Sequence, residues 1–162
     1  IEYQNGEQTV LLNDENVNSY LRTEEVGNMA SVSSAVPRVR EKLLSLQRKL
    51  ARDMSVVMDG RDIGTTILPD ADVKIYLTAS SLTRAKRRYL ELQEKGTICN
   101  LDEIQKDIEE RDQRDMNREI SPLRQAEDAV LVDSSDLTIQ QVVDRILQIF
   151  RSKTAGEKSH ES

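Results

Sequence analysis

The sequence has very little cysteine, histidine or aromatic content, and each shortage excludes a class of function. Among 162 residues there is one Cys, one His and no Trp, and the aromatic fraction is 3%. With Cys99 and His160 as the only residues of their kinds, a disulfide framework, a zinc site and a His-dependent catalytic triad are all excluded. The scarcity of aromatic side chains argues against a platform on which nucleic-acid bases would stack.

Net positive charge and long apolar runs are also absent. The 23 basic residues are outnumbered by 29 acidic ones, which gives a net charge of −6 and no general attraction to nucleic acid or anionic lipid. No stretch has the pattern of a signal peptide or a membrane span. We therefore expect a cytoplasmic protein without a nucleic-acid or membrane partner, in which anions are bound by local clusters of arginine.

The sequence does contain an alternation of strand and helix patterns, over a length suited to one domain. Short apolar runs with the length and β-branched content of buried parallel strands lie at residues 55–59, 73–78 and 129–133. Helical patterns lie at residues 37–52, 81–95 and 101–120, and a last one begins after Thr138. This order predicts an α/β fold with a parallel sheet covered by helices.

The two ends of the chain have patterns of their own. Asn5 and Gly6 predict the turn of a hairpin within residues 1–12. Thr23, followed by two glutamates, predicts a capped helix. Residues 151–162 are polar and contain a glycine, so we expect a disordered tail there.

The loop that follows the first predicted buried strand is the strongest candidate for a site. It reads Asp-Gly-Arg-Asp-Ile-Gly over residues 59–64, and Gly60 and Gly64 permit tight or positive-φ backbone conformations. Arg61 and Asp62 present a cation and an anion side by side. An isolated Arg-Asp pair is usually a surface ion pair in a turn. Ligands of open α/β sheets bind outside the carboxyl ends of the strands, and this position favours a functional interpretation.

A second cluster of charge lies on the pattern at residues 101–120. Arg111, Asp115 and Arg118 are spaced i, i+4, i+7 and would share one helical face. Such residues often form only solvated ion pairs, worth ~0.2–0.5 kcal/mol each. The two neighbouring helices nevertheless carry more cations than an acidic protein needs, and guanidinium groups grip phosphate oxygens two at a time. These observations predict a polyphosphate ligand.

Several uncommon strings between residues 21 and 150 occur in an order that resembles the bacterial cytidylate kinases. They are NMASVSSAVPRVRE, DGRDIGT, PDADVKIYLTAS, RAKRRYLELQEKG, ERDQRDMNR and VLVDSS. A match of this length is far more specific than one short motif. The resemblance implies a P-loop nucleoside-monophosphate-kinase fold and the transfer of the γ-phosphoryl group of ATP to CMP or dCMP with Mg²⁺, by an enzyme that is monomeric when full-length.

The resemblance also implies how the acceptor nucleotide is bound. Ser31, Arg40 and Asp62 would read cytosine, and the chemistry fits because a carboxylate accepts from the cytosine N4 amino group while Arg or Ser donates to ring acceptors. The other acceptor-side residues would be Arg61 and Arg118 at the CMP phosphate, and Arg111 with Asp115 at the ribose.

On the donor side, the resemblance implies a lid at about residues 84–118 that closes over the ATP phosphates. Arg84, Arg87 and Arg88 would belong to this lid. Catalysis would consist of positioning and of charge neutralisation on the transferred oxygens, by Arg61, Arg118, Arg87 and Arg88, without a covalent intermediate.

The sequence departs from the family in one respect. The family needs a Gly-rich loop that ends in Lys-Ser/Thr, and no such loop is present. We therefore expect an N-terminally truncated enzyme, which lacks the first strand and the phosphate loop and is inactive alone. Residues 1–30 would be part of the monophosphate-binding insert and residues 31–150 the remaining core.

Three alternatives remain open at this point. The chain could be a non-catalytic fragment that holds a nucleotide, or a related small P-loop kinase with another acceptor. It could also have a structural or partner-binding role, in which the arginines merely solvate helices. A Gly-rich phosphate loop upstream of Ile1 would eliminate the non-catalytic fragment. A panel of acceptor nucleotides would separate the related kinase. A structural role requires that no nucleotide changes the melting temperature.

Overall fold

The computed structural model describes residues 1–21 and 23–157 of the protein. The chain divides into two compact units, Ile1–Leu46 and Gln47–Ser162.

The first unit begins with two small antiparallel hairpins. Strands β1 (Glu2–Gln4) and β2 (Glu7–Thr9) pair across the predicted turn, where Asn5 and Gly6 both have positive φ. Strands β3 (Leu11–Leu12) and β4 (Glu15–Asn16) form the second hairpin. Helix α1 (Glu24–Ser33) follows, and the Thr23 side chain caps it as predicted by accepting from the Val26 amide.

Helix α2 (Pro37–Asp53) begins at the predicted proline. Proline suits the first turn of a helix because its missing N–H would have no partner there. The apolar residues spaced along one side of this helix are partly exposed, at 38–48% for Val39, Leu43, Leu46 and Leu50.

The second unit contains a parallel strand pair and three helices beyond α2. Strand β5 (Ile75–Thr78) pairs in parallel with β6 (Val130–Asp133), so that Ile75 lies opposite Val130 and Thr78 opposite Asp133. The helices are α3 (Ser81–Glu94), α4 (Leu101–Asn117) and α5 (Ile139–Glu157). The prediction of an α/β fold with parallel strands is confirmed.

Local signals fix the ends of the two helices between these strands. The Ser80 hydroxyl accepts from the Thr83 amide at the start of α3, and Gly96, with a φ of 73°, ends it. The Asn100 side chain accepts from two amides at the start of α4. The apolar core of this unit is small, and its buried members among the described residues are Ile67, Ala85, Ile104, Val132 and Ile149.

Gly60 and Gly64 do not use the positive φ that glycine permits. Two sequence-based expectations about backbone structure are corrected. Residues 55–59 are not a strand, because no neighbouring segment among the described residues supplies the hydrogen bonds that a strand needs. The expected tail is helical over residues 151–157, where it continues α5, and its last residues, 158–162, lie outside the described residues.

None of the helices described combines the length and the apolar character needed to span a bilayer.

Candidate functional site

The predicted site loop leads into a turn of π-helix, Ile63–Ile67, that begins directly after Asp62. The backbone carbonyl of Asp62 accepts hydrogen bonds from the amides of Thr66 at 2.9 Å and Ile67 at 3.1 Å. π-Helical turns are rare and occur frequently at functional sites. This turn fixes the backbone of Asp62, whose side chain is buried.

Gly60 is required in this loop because of a close approach. A Cβ added there would lie 2.9 Å from Cγ1 of Ile63, whereas one added at Gly64 would lie no closer than 3.4 Å to its nearest neighbour, Lys74. A side chain at position 60 would therefore force Ile63 or the loop to shift.

Two ion pairs join this loop to the end of α4. The Arg61 Nε atom donates to Asp115 Oδ2 at 3.1 Å, and Arg118 Nη2 lies 3.5 Å from Asp62 Oδ1. Asp62 and Asp115 are among the few buried charged residues, at 6% and 4% exposure. The two ion pairs bring Arg61, Asp62, Asp115 and Arg118 together.

Arg111 lies one helical turn before Asp115 on α4. Its Nε atom is buried and has no hydrogen-bond partner among the described residues. A buried guanidinium nitrogen without a partner costs free energy, so its retention favours an acceptor supplied by a ligand. The three arginines and two aspartates of this cluster leave one net positive charge, which suits a phosphate ester.

Arg118 reaches the cluster by a route that the helical periodicity did not predict. The helix ends at Asn117, and Arg118 is extended, with a ψ of 142°. Its Nε atom donates to the Ser121 carbonyl at 2.7 Å, and Ser121 itself has a φ of 50°. The Leu123 amide returns to the Asp115 carbonyl, so the chain folds back over the end of α4. This reversal, and not a shared helical face, brings Arg118 to Asp62.

The guanidinium group of Arg61 donates a hydrogen bond to the described residues through only one of its three nitrogens. Its Nε atom holds Asp115, and its side chain is 40% exposed. The two terminal nitrogens make no hydrogen bond to any described residue, so they can donate to two oxygens of an anion at once.

The arginines of α3 have partners within the second unit. Arg84 forms a two-pronged ion pair with Asp112 on α4, and this hydrogen bond raises the pKa of Arg84. Arg87 donates to the Ser134 carbonyl at 2.6 Å and to the Ser134 hydroxyl at 3.3 Å, and also to Leu137. Arg88 pairs with Glu91 at 3.0 Å. These three residues are not joined to the Arg61 cluster by any of these contacts.

Ser31 and Arg40 belong to the first unit. Arg40 Nη1 donates to the Ser34 carbonyl at 3.0 Å, and the Ser34 hydroxyl donates to the Ser31 carbonyl at 2.9 Å. These contacts connect the two predicted cytosine-reading residues through Ser34.

Sequence reasoning missed the partners that hold these arginines. Asp112 lies in the arginine-rich stretch of α4 but was not singled out. Ser134, which is buried, lies in the VLVDSS string. Arg48, on the basic face of α2, contacts the π-helical turn from 18 residues away, and no local pattern signals such a contact.

The residues described do not group three His, Cys, Asp or Glu side chains in the way that a metal ion would need.

Comparison with known proteins identifies the family of this chain. The family model for cytidylate kinase matches residues 1–152. This chain belongs to the cytidylate kinase family. It is 50% identical over 150 residues to the cytidylate kinase of Lactobacillus johnsonii and 51% identical over 150 residues to that of Enterobacter sp. strain 638. Each match covers 93% of the chain, and it covers 65% and 66% of the respective relative.

The family resemblance and the P-loop kinase fold class expected from the sequence are confirmed by these matches. A third cytidylate kinase, from Caldicellulosiruptor saccharolyticus, is 49% identical over 152 residues, which cover 94% of the chain. The chain spans about two thirds of the length of the curated cytidylate kinases that it matches.

Proposed function

We propose that this chain forms the acceptor side of a cytidylate kinase, an enzyme that transfers the γ-phosphoryl group of ATP to CMP or dCMP and gives CDP or dCDP. The observation that carries the proposal is the pair of crossed contacts Arg61–Asp115 and Asp62–Arg118 in a chain of this family. They fix arginines and carboxylates next to one another, as a nucleoside monophosphate requires.

The acceptor would be held through three kinds of contact. The Asp62 carboxylate accepts from the cytosine N4 amino group, with Ser31 and Arg40 as donors to the ring. Arg61 and Arg118 hold the phosphate, for which the terminal nitrogens of Arg61 are placed to form two parallel hydrogen bonds. Asp115 and Arg111 bind the ribose, and the buried Nε atom of Arg111 supports a ligand contact.

The donor phosphates would be met by the lid, residues 84–118. We propose that Arg84, Arg87 and Arg88 act there, with Arg87, Arg88, Arg61 and Arg118 neutralising charge on the transferred oxygens. Because Arg84 is tied to Asp112 and Arg88 to Glu91, ATP would have to compete with these carboxylates. Hydrogen exchange should slow between residues 84 and 118 when a bisubstrate analogue binds the full-length enzyme, and no protection there would count against a lid.

ATP and Mg²⁺ enter this proposal through the family. A phosphate loop of backbone amides with a lysine is what P-loop kinases use around the β- and γ-phosphates, and the sequence of this chain has none. We also propose a cytoplasmic, monomeric full-length enzyme without nucleic-acid or membrane partners.

A coupled assay for ADP with CMP, ATP and Mg²⁺ tests the activity. The chain alone should show no turnover above background. A fusion of this chain to the part of the Enterobacter relative that it does not match should phosphorylate CMP and dCMP. Failure of a well-folded fusion with CMP, together with turnover of UMP or AMP, would replace the proposal with a kinase of another acceptor.

A second candidate is a nucleotide-binding fragment without turnover. The complete set of Arg61, Asp62, Arg111, Asp115 and Arg118 favours it, since none of these residues needs the phosphate loop to contact CMP. In this case the chain binds CMP and raises its own melting temperature, while the fusion remains inactive. A chain whose melting no nucleotide changes would support a structural role instead.

A further inference from the structure

Arg48 makes two hydrogen bonds to the turn that follows the site loop. Its Nε atom donates to the Ile67 carbonyl at 3.0 Å, and its Nη2 atom donates to the Thr66 carbonyl at 2.8 Å. These are the last two residues of the π-helical turn, Ile63–Ile67. The final carbonyls of a helical turn have no partner within it and need one from elsewhere. Arg48 supplies that partner for both.

Thr66 and Ile67 also hold the backbone of Asp62, through their amide groups. The amides of Thr66 and Ile67 both donate to the Asp62 backbone carbonyl, while their own carbonyls accept from Arg48. The position of the Asp62 backbone therefore depends on a turn whose far end is fixed by one guanidinium group. Single π-helical turns are rare, and Arg48 satisfies the two carbonyls at the end of this one.

We propose that Arg48 is a positioning residue for base recognition, because it fixes the π-helical turn and through it the Asp62 carboxylate. The inference rests on the proposed function, in which Asp62 reads the acceptor base. Arg48 does not contact the nucleotide, and its effect is on selectivity between bases.

Binding of CMP and UMP to the chain, measured by calorimetry, tests this proposal. UMP has an oxygen acceptor where CMP has its N4 amino donor, so a well-placed carboxylate separates the two nucleotides. In Arg48→Gln the ratio of UMP to CMP dissociation constants should fall about tenfold, which is the size of one to two lost net hydrogen bonds. Arg48→Lys, which keeps the charge but lacks the rigid planar fork of donors, should lie between Arg48→Gln and the unchanged chain.

The matched control is Arg52→Gln, one turn further along the same helix. Arg52 makes no hydrogen bond to any described residue, so this variant should keep the ratio unchanged. A purely structural role of Arg48 would lower the folded fraction and weaken CMP and UMP equally. An unchanged ratio in Arg48→Lys and in any folded Arg48→Gln overturns the positioning role and leaves the proposed function standing. A chain that does not prefer CMP to UMP overturns the acceptor assignment, and this inference with it.

Discussion

At position 62 a carboxylate is buried beside a guanidinium group, and its own backbone carbonyl accepts two hydrogen bonds. Asp62→Asn keeps the shape and removes the charge. We expect CMP to bind roughly 10- to 100-fold more weakly, because hydrogen bonds to charged groups are worth about 1.5–3 kcal/mol. Calorimetry with CMP measures the loss. Asp70→Asn, at an exposed position in the same loop region, is the control. Equal affinity in Asp62→Asn and the unchanged chain would remove Asp62 from the site.

Two glycines in the same loop should respond differently to an added methyl group. Gly60→Ala would place a Cβ 2.9 Å from Ile63, so the loop must shift at a cost of about 1–3 kcal/mol. Gly64→Ala meets only an ordinary contact with the Lys74 side chain and should be nearly neutral. Urea unfolding of both variants measures the difference. Equal stability of the two would mean that Ile63 moves aside without cost.

At the scale of elements, α3 and α4 are joined by the Arg84–Asp112 pair. The Arg84 side chain is 36% exposed, so we expect a coupling energy of only about 0.5–1 kcal/mol. A double-mutant cycle with Arg84→Gln and Asp112→Asn, read by urea unfolding, measures it. The Lys106–Glu110 pair, at 3.9 Å and far more exposed, should give a coupling near zero. A coupling no larger than that of Lys106–Glu110 would show that the two helices are held by packing alone.

Strand β5 is preceded by Lys74, which pairs with Asp128 just ahead of β6. Lys74 Nζ lies 2.8 Å from Asp128 Oδ2 and also donates to the Pro69 carbonyl. The hydrogen bond from Lys74 lowers the pKa of Asp128 in the folded state. The folded state therefore binds this proton less readily than the unfolded chain, and the pair stabilises the fold above the unfolded-state pKa, near 4.

This contribution is lost as the pH falls through the lowered pKa. Asp128→Asn should therefore melt at a lower temperature at pH 7, and its melting temperature should decline less steeply between about pH 5 and pH 3. Asp136→Asn, at an exposed position after β6, is the control. It should change neither the melting temperature at pH 7 nor its decline with falling pH. Calorimetry across this pH range measures the melting temperatures. If those of Asp128→Asn and the unchanged chain decline in parallel as the pH falls, the prediction is wrong.

The elements that local signals define are those that the sequence predicts well. Ser80, Asn100 and Gly96 mark helix ends through local conformation and contacts, and α3 and α4 begin at residues 81 and 101, where the sequence patterns begin. Residues 55–59 have the composition of a strand, but a strand also needs a neighbour, which composition does not supply. The end of α4 was placed three residues too late, because Arg118 is drawn into the chain reversal at Ser121.

In the candidate site, too, the sequence predicts features that depend on local signals and misses those that depend on distant contacts. The position of the loop after an apolar run drew attention to Arg61 and Asp62, and the helical spacing drew attention to Asp115. Arg118 reaches Asp62 through the chain reversal at Ser121, which the helical spacing did not predict. The π-helical turn could not be predicted, since Arg48 holds it over 18 residues, and neither could the partners of Arg84 and Arg87, which depend on how α3 lies against α4 and the end of β6. The resemblance suggested candidate residues, while the contacts that hold them required the structure.

At the scale of the whole chain, apolar exposure is the dominant property. Only five apolar side chains are buried among the described residues, while Val57 is fully exposed and Leu77 and Leu131 on the strand pair are each more than half exposed. A sheet of two strands has open edges on both sides, which invite pairing with another chain. We therefore expect this chain to self-associate, with a sedimentation coefficient that rises over micromolar concentrations.

A charge on the exposed strand surface should reduce this association. Leu131→Lys places an ammonium group on β6 and should shift the sedimentation profile toward the monomer, because like charges would meet and apolar contact would be lost. Ile139→Lys is the matched control, since Ile139 is 86% exposed at the start of α5 and lies off the strand pair. If both variants act equally, association depends on total apolar exposure and not on the strands. A chain that sediments as a monomer at every concentration would contradict the prediction. It would show that the exposed face of β5 and β6 stays in contact with solvent without associating with another chain.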